Sequence, residues 1–514
     1  MLPHPEKIQF TALSPCVGVE EENLSTLAEA AISAPLRCVT FHWSIVWFGY
    51  LLTWGVIPHI LLRNKPPVST LAWIWAVILF PYIGPLFYFV FGTERIERKK
   101  LRARREMSAA GASRERRIST FTRTLVEELA EGERAAMELL SNINELAVSS
   151  VESTRLLIGG TQFFAALRQR IEEAREHVHV EFFIWRDDAR GREMRDALVA
   201  AAKRGVEVRV LIDQVGSFGL RKSFFDPLCE AGGKFAWFRT AHPLRNRWTF
   251  NLRNHRKLQI IDGHIAFVGG MNMAREYAGE DPEIGPWRDI QIELVGGAAK
   301  RLQMAFADDW FFATEEKLLE KHYYPQPTTP QRFLVQSMPD GPDSPDDPIQ
   351  MSLVYMLNSA RHRVWLTAGY FVPKEPLLTA LELAAARGVD VRLLVSEKSD
   401  HPLLINVGRS YYEELLRFGV KIFEYESGIN HAKVTLIDDK WLMVGSANFD
   451  VRSMRLNFEL NTLVRDPERA AELEAVLRQD FDQDSRQIVL EEFIQRPWSQ
   501  RLKESMLRPL APLL

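Results

Sequence analysis

The chain has 514 residues, enough for roughly three or four units of ~150 residues or for fewer units built as large repeats, so one small module is excluded. Its 64 Lys+Arg and 67 Asp+Glu give a formal net charge of -3, with 46% apolar and 25% charged residues. That balance excludes global disorder and does not favour wholesale coating of nucleic acid.

Residues 1–40 carry no recognisable chemistry. From Trp43 to Leu62 the chain reads WSIVWFGYLLTWGVIPHILL, twenty residues without Asp, Glu, Lys or Arg. This is the length that crosses ~30 Å of hydrocarbon, and it predicts a membrane span. A second uncharged stretch, Pro66 to Thr93, is punctuated by Pro81, Gly84 and Pro85 and is expected to be kinked or re-entrant. Residues 41–93 therefore read as a membrane hairpin, with Trp43, Trp47 and Trp54 as lipid-facing or interfacial anchors. Arg63 and Lys65 lie between the two stretches, whereas Arg95, Arg98, Lys99, Lys100, Arg102, Arg104 and Arg105 follow the second. The excess predicts both termini and the body on the cytoplasmic side of a multi-pass membrane protein. Within the basic, helical linker 94–150, the cluster reads equally as a topogenic signal or as a contact with anionic headgroups, worth ~1 kcal/mol per charge.

Beyond residue ~118 helix-like and strand-like patterns alternate, as in an α/β body. Pro-rich chain at 326–348 reads as a linker between a first domain, 151–325, and a second, 349–514. The two halves align. AAKRGVEVRVLI begins at Ala201 and AAARGVDVRLLV at Ala384, each the end of a helix, a Gly cap and a buried strand, at an offset of 183 residues. HRKLQIIDGHIAFVGGMN begins at His255 and HAKVTLIDDKWLMVGSAN at His431, an offset of 176. The chain is a tandem duplication. Cys16, Cys38 and Cys229 are widely separated and lack CxxC spacing, so no disulfide framework or zinc knuckle is expected.

Each copy carries H-x-K-x4-D followed by a Gly-Gly/Ser-x-Asn tail. The first supplies His255, Lys257, Asp262, Gly269, Gly270 and Asn272, the second His431, Lys433, Asp438, Gly445, Ser446 and Asn448. In extended chain the His and Lys, two apart, share a face. Two Lys and two Asn aimed inward would neutralise the charge that builds up on a phosphodiester under attack, without a metal or cofactor. Two imidazoles would divide the remaining work: one, neutral, attacks phosphorus, and the other, protonated, serves the departing alkoxide and then deprotonates the incoming alcohol. The candidate catalytic set is thus His255, Lys257, Asp262, His431, Lys433 and Asp438. Asp262 and Asp438, at strand ends, are expected to stabilise their own motif's backbone rather than to meet substrate. Asn272, Asn448 and Ser446 are the supporting groups, and Asp289 and Glu459 are candidates to hold the imidazole tautomers. His242 and His401 read equally as lining of a substrate entrance and as loop residues.

With these residues the chain resembles the phospholipase D superfamily and, within it, the bacterial cardiolipin synthases of the two-motif type. The resemblance also covers Ser69 to Gly92, RNHRK at Arg253 to Lys257, GGMNMAREY at Gly269 to Tyr277, WRD at Trp287 to Asp289, GYFVP at Gly369 to Pro373, and GSANFDVRSMRLNFE at Gly445 to Glu459. It implies two α-β-α sandwiches packed as a pseudo-dimer behind an N-terminal transmembrane helical hairpin, with both motifs in one site. It further implies a bacterial inner-membrane enzyme that moves a phosphatidyl group from one phosphatidylglycerol to another through a phosphohistidine, releasing glycerol, with His255 as nucleophile and His431 as acid/base. Membrane phospholipids, not nucleic acid, are the expected partners. The chain departs from the family at TAGYF, Thr367 to Phe371, where TPYF is common. Acceptor choice stays open between phosphatidylglycerol, phosphatidylethanolamine, another alcohol and water, the last making a phospholipase D-type hydrolase. Oligomeric state is not read from the sequence.

Overall fold

The computed structural model describes residues 47–63, 67–92, 118–144, 146–238, 252–282, 284–342, 344, 347–399 and 402–513. Residues 1–94 and 95–514 form two separate compact units.

In the first unit, residues 47–61 are helical, and the second apolar stretch divides into Pro67–Leu79, Ile83–Phe87 and a π-helical turn, Tyr88–Gly92. The break falls at Pro81, which has no N–H to continue the helical ladder. Thr53 Oγ1 donates to the Val77 carbonyl at 3.2 Å, tying the first helix to the second. A Cβ on Gly84 would stand 2.3 Å from the Ala76 carbonyl oxygen, so glycine is required there. No helix among the described residues is long and apolar enough to cross a membrane. The start of the expected Trp43 span and the basic cluster at Arg95 to Arg105 lie outside the described residues.

The second unit holds the duplication. One sheet has the order Ser153–Ile158, Ile290–Val295, Ile265–Gly269, Leu258–Ile261, His177–Phe182, Glu207–Asp213, Lys234–Phe238. The second repeats it as Phe333–Asp340, Asn457–Arg465, Trp441–Gly445, Val434–Ile437, Arg363–Ala368, Asp390–Ser396, Lys421–Tyr425, and adds Ser149–Val151 and Ser485–Ile488 at its edges. Most strand residues are buried because both faces of each sheet are covered, and they include polar side chains such as His179, Glu181, Gln291 and Glu459. On one face of the first sheet Phe163, Leu167 and Leu198, from helices Gly160–Glu173 and Ala189–Lys203, close a core with Val180 and Val210. The equivalent core of the second sheet uses helices Pro348–Ser359 and Glu375–Ala386. The halves meet through a shared core. Leu258, Val268 and Phe306 from one half pack with Leu436, Val444 and Leu473 from the other, each worth ~1.5–3 kcal/mol when fully buried.

The linkers expected at 94–150 and 326–348 are only partly linkers. Phe333–Asp340 is a buried strand of the second sheet, and Ser149–Val151 pairs with it antiparallel. Leu129, Met137 and Leu140, ahead of that short strand, join the second-half core. Proline density masks Phe333–Asp340 in the sequence because Pro325, Pro327 and Pro330 precede it and Pro339 stands near its end. The helix, cap and strand expected at both repeat copies are present: Ala189–Lys203 leads through Gly205, at φ 91°, to Glu207–Asp213, and Glu375–Ala386 leads through Gly388, at φ 86°, to Asp390–Ser396.

Candidate active site

Each histidine stands in extended chain just ahead of a buried strand, and each is gripped by the other half. Arg253–Asn254 pairs in parallel with Asn457–Phe458, and Ile429–Asn430 with Trp287–Arg288. The His255 amide donates to the Phe458 carbonyl at 2.9 Å and the His431 amide to that of Arg288 at 2.7 Å. These crossed bridges bring carboxylates from the opposite repeat to the imidazoles. His255 Nδ1 lies 3.0 Å from both carboxylate oxygens of Glu459, and His431 Nδ1 lies 2.7 Å from Asp289 Oδ2. Asp289 and Glu459 occupy equivalent repeat positions, 170 residues apart. Both Nδ1 atoms are turned to carboxylates, and neither Nε2 is engaged by them.

Burial governs the electrostatics. It pulls His255 down to about 4, against the opposing pull of Glu459, and it lowers His431 with help from Lys433. Lys257 is fully buried and is brought down to about 7 by burial, with Lys433 adding repulsion and Glu459 opposing. Burial would raise Glu459, but His255, Lys257 and the Ser446 hydroxyl outweigh it and hold the carboxyl at about 2. These mutual influences cross the repeat boundary, as do the His255–Glu459 and His431–Asp289 contacts, so the two motifs lie together. Lys257 Nζ donates to the His255 carbonyl at 2.6 Å; Lys433 Nζ bonds the His431 carbonyl and also lies 2.9 Å from His431 Nδ1.

The remaining motif residues differ in what they hold. Asp262 and Asp438 do not face the imidazoles. They sit at φ 53° and 51°, and their carboxylates accept backbone N–H groups at the start of the neighbouring strand: Arg175, Glu176 and His177 for one, Arg361, His362 and Arg363 for the other. Asp is among the few residues that tolerate this left-handed backbone, so both are clamps between strands rather than groups that touch substrate. Asn272 is committed as well, accepting from the Ile184 amide at 3.0 Å and donating to the Tyr277 hydroxyl at 2.5 Å. Asn448 differs: its Oδ1 is buried with no hydrogen-bond partner among the described residues. Ser446 donates to Glu459 Oε2 at 2.5 Å, a support for the carboxylate rather than for a phosphate. His242 and His401 lie outside the described residues.

Several further residues shape the site. Asn457 Nδ2 donates to Glu459 Oε1 at 3.2 Å. Arg256, wholly buried, donates to the carbonyls of Glu459 and Asp340 and pairs with Asp309, fastening the first motif to the second half. Phe183 packs edge-on to His255 at 4.9 Å between centroids, and Trp287 and Tyr277 flank His431 at 5.3 and 5.7 Å. A Cβ on Gly369 would stand 3.3 Å from the His431 Cα, so the Gly of TAGYF lets this histidine sit close. Asn457, Arg256, Trp287, Tyr277 and Gly369 fall inside the stretches that carry the family resemblance, which is their only signal in the sequence. Phe183 has none.

Known proteins resemble this chain in sequence and in fold. The family described as "Cardiolipin synthase, PLD-like domain" matches residues 167–310 and 353–483, and "Phospholipase_D-nuclease N-terminal" matches 51–92. A cardiolipin synthase 1 of Bacillus anthracis is 35% identical over 90% of this chain and 92% of its own length, and a cardiolipin synthase of Geobacillus thermodenitrificans is 36% identical over 92% of each. The chain belongs to the cardiolipin synthase family. Its fold is also that of a solved phosphatidylserine synthase from Haemophilus influenzae, at a TM-score of 0.56 and 15% identity, covering 75% of this chain and all of the other. Members of the cardiolipin synthase family are phospholipid phosphatidyltransferases of the phospholipase D superfamily, and the crossed His–carboxylate pairs are the form that membership takes in this chain.

Proposed function

We propose that the protein is a cardiolipin synthase that transfers a phosphatidyl group between two phosphatidylglycerol molecules through a phosphohistidine. The observation that carries this reading is the meeting of two buried imidazoles, each backed by a carboxylate from the opposite repeat, beside two buried lysines. Burial keeps both imidazoles neutral before substrate arrives, and an arriving phosphodiester anion raises their affinity for a proton, so that one becomes the acid. The first imidazole forms a P–N bond as the P–O bond to glycerol breaks, and the imidazolium hands its proton to the glycerol alkoxide. That same ring then takes the proton of the second lipid's hydroxyl, whose oxygen displaces the first imidazole from phosphorus. Lys257 and Lys433 carry the charge of the pentacoordinate phosphorus. Following the order of the motifs, His255 is the nucleophile and His431 the acid/base.

The N-terminal unit holds the enzyme at the bilayer where both substrates reside, with the body on the cytoplasmic face of a bacterial membrane. Support comes from its outward apolar side chains: Leu51, Trp54 and Leu62 are 69%, 72% and 83% exposed, a surface suited to lipid.

The test is a product assay on the full-length protein in mixed micelles with labelled phosphatidylglycerol as the only phospholipid, a chelator present, and a His255→Ala control. Cardiolipin and free glycerol, absent in the control, are expected. Phosphatidic acid without cardiolipin makes water the acceptor and overturns the synthase reading.

A further inference from the structure

One loop beside the site turns its polar atoms inward and its apolar ones outward. Residues 214–222, QVGSFGLRK, follow the strand Glu207–Asp213 and fold back on its end. The Asp213 carboxylate fixes that fold. Its Oδ1 accepts from the amides of Val215 and Gly216, and its Oδ2 from the amide of Asn254, the residue before His255, each at 2.8 Å. Ser217 is buried; its hydroxyl donates to the Phe183 carbonyl at 3.1 Å and accepts from the Trp185 amide at 2.9 Å. Gly216 approaches so closely that a Cβ there would stand 2.4 Å from the same Phe183 carbonyl oxygen and 2.5 Å from the Phe183 ring. Phe183 is the ring that packs against His255, so the loop is joined to the wall of the site.

The outward side chains are Val215, 50% exposed, and Phe218, 84% exposed, three residues apart and joined by the Phe218 amide donating to the Val215 carbonyl at 3.1 Å. Single apolar side chains on a surface need no account, but among the described residues after 94 no other large apolar side chain is as exposed as Phe218. A loop that meets only water gains by burying such a ring. Arg221 and Lys222, both exposed, follow directly, and 214–222 contains no Asp or Glu. An apolar tip with cations behind it is complementary to an anionic bilayer, the ring lying at the boundary of headgroups and acyl chains and the cations at the phosphates. The other half repeats the arrangement in outline. Ser396, at the end of the equivalent strand Asp390–Ser396, accepts from the Asn430 amide at 3.0 Å, and exposed Lys398 and Leu403 follow it.

We propose that the loop 214–222 docks the catalytic body on an anionic bilayer: Val215 and Phe218 enter the boundary of headgroups and acyl chains, and Arg221 and Lys222 meet the headgroup phosphates. This rests on the reading of the substrates as membrane phospholipids and deepens it, because it says which face of the body meets the leaflet that supplies them. Through Asp213, Ser217 and Gly216 the docked loop is continuous with Asn254 and Phe183, so the side of the body that carries His255 is turned to the lipid. No bond-making step changes.

The experiment uses the full-length protein in vesicles of phosphatidylglycerol and phosphatidylcholine, with Cys16, Cys38 and Cys229 replaced by serine and a nitroxide attached at Val215→Cys. Glu172→Cys, exposed on the helix Gly160–Glu173, carries the control label. Oxygen, which concentrates in the bilayer, is expected to relax the label at 215 more than a water-soluble nickel chelate does, with the reverse at 172. Adding Phe218→Ser should shift the label at 215 towards the chelate. Equal chelate contact at the two positions overturns the docking, and spin–spin broadening at a low protein-to-lipid ratio seats a second copy of the chain on the loop and overturns it too. In turnover, Phe218→Ser is expected to raise the phosphatidylglycerol surface concentration for half-maximal rate about tenfold and to leave the rate on short-chain, monomerically dispersed phosphatidylglycerol within about twofold. Arg221→Gln with Lys222→Gln should raise the same concentration at low salt, by about fivefold per charge, and not at high salt. An equal loss on vesicles and on dispersed substrate would make the loop a support for Phe183 alone and overturn the proposal. A label held in the bilayer on a protein that makes no cardiolipin would overturn the synthase reading and leave the docking loop standing.

Discussion

The His255 and His431 sides of the site have the same backbone register and hold their imidazoles differently. Glu459 is bound by three side chains, His255, Ser446 and Asn457, and stays ionised in a fully buried place. Asp289 is shorter and receives His431 and its own neighbour's amide from Ile290 at 2.8 Å, and the aromatic rings of Trp287 and Tyr277 flank His431. The difference is built into the pairs Ser446 with Glu459 and Gly270 with Asp289. A Cβ on Gly270 would stand 2.4 Å from Asp289 Oδ1, so the first half has no room for the serine that the second half uses. Duplication gave two copies of one device, and each was tuned as a carboxylate and its neighbour together rather than residue by residue.

The largest effects should come from removing the charge of each carboxylate. Glu459→Gln and Asp289→Asn should each lower kcat by about 10²–10⁴-fold, as loss of an imidazole-orienting carboxylate does elsewhere. If the two sides divide nucleophile from acid/base, rapid acid quench with labelled lipid will show different steady-state levels of phosphoenzyme in the two variants. Equal levels would break the division of roles.

Next come the neighbours. Gly270→Ser places atoms against the Asp289 carboxylate and should cost about 10²-fold in kcat, whereas Ser446→Gly removes one of three donors to Glu459 and, at ~1.4 kcal/mol for a tenfold change, should cost about tenfold or less. Comparable losses would mean that the two pockets are interchangeable.

Lys257 offers the smallest, and a stability rather than a rate readout. Its folded pKa, about 7, is below the ordinary value for lysine, so between about pH 7 and 10.5 the unfolded chain holds more protons than the folded one. Stability from this group therefore rises with pH through that window, and the full penalty of burying the cation is present below it. Lys257→Met, inactive in turnover, should melt above the parent at pH 6, by an amount on the order of 1 kcal/mol or more, since each tenfold loss of proton affinity on folding is worth ~1.4 kcal/mol. The gap should close towards pH 10, and a pH-independent gap would mean that the lysine keeps its proton in the folded state across this window.

The repeat, the paired motifs and the α/β strands are legible because each is a pattern within a few dozen residues. The helix, Gly turn and strand at Ala201 and at Ala384 need only periodicity and a glycine at positive φ. Phe333–Asp340 reads as linker in the sequence because sheet membership depends on partners, Ser149–Val151 and Asn457–Arg465, far off in the chain. Asp262 and Asp438 belong to the motif by spacing and read in the sequence as stabilisers of its own backbone, but the strand each one holds is not legible there. Their left-handed backbone and three accepted amides, on a strand about 85 and 76 residues upstream, make them clamps.

By itself the sequence determined that two histidines, two lysines and two carboxylates recur in one order, since the chemistry of a side chain is local and repeats survive duplication. Which carboxylate serves which histidine was decided only in three dimensions. His255 takes Glu459, 204 residues away, and His431 takes Asp289, 142 residues back, because each strand that leads into a histidine pairs with the other half. A crossed pairing of this kind buries four ionisable groups in one cleft, and no linear spacing can distinguish it from two separate sites.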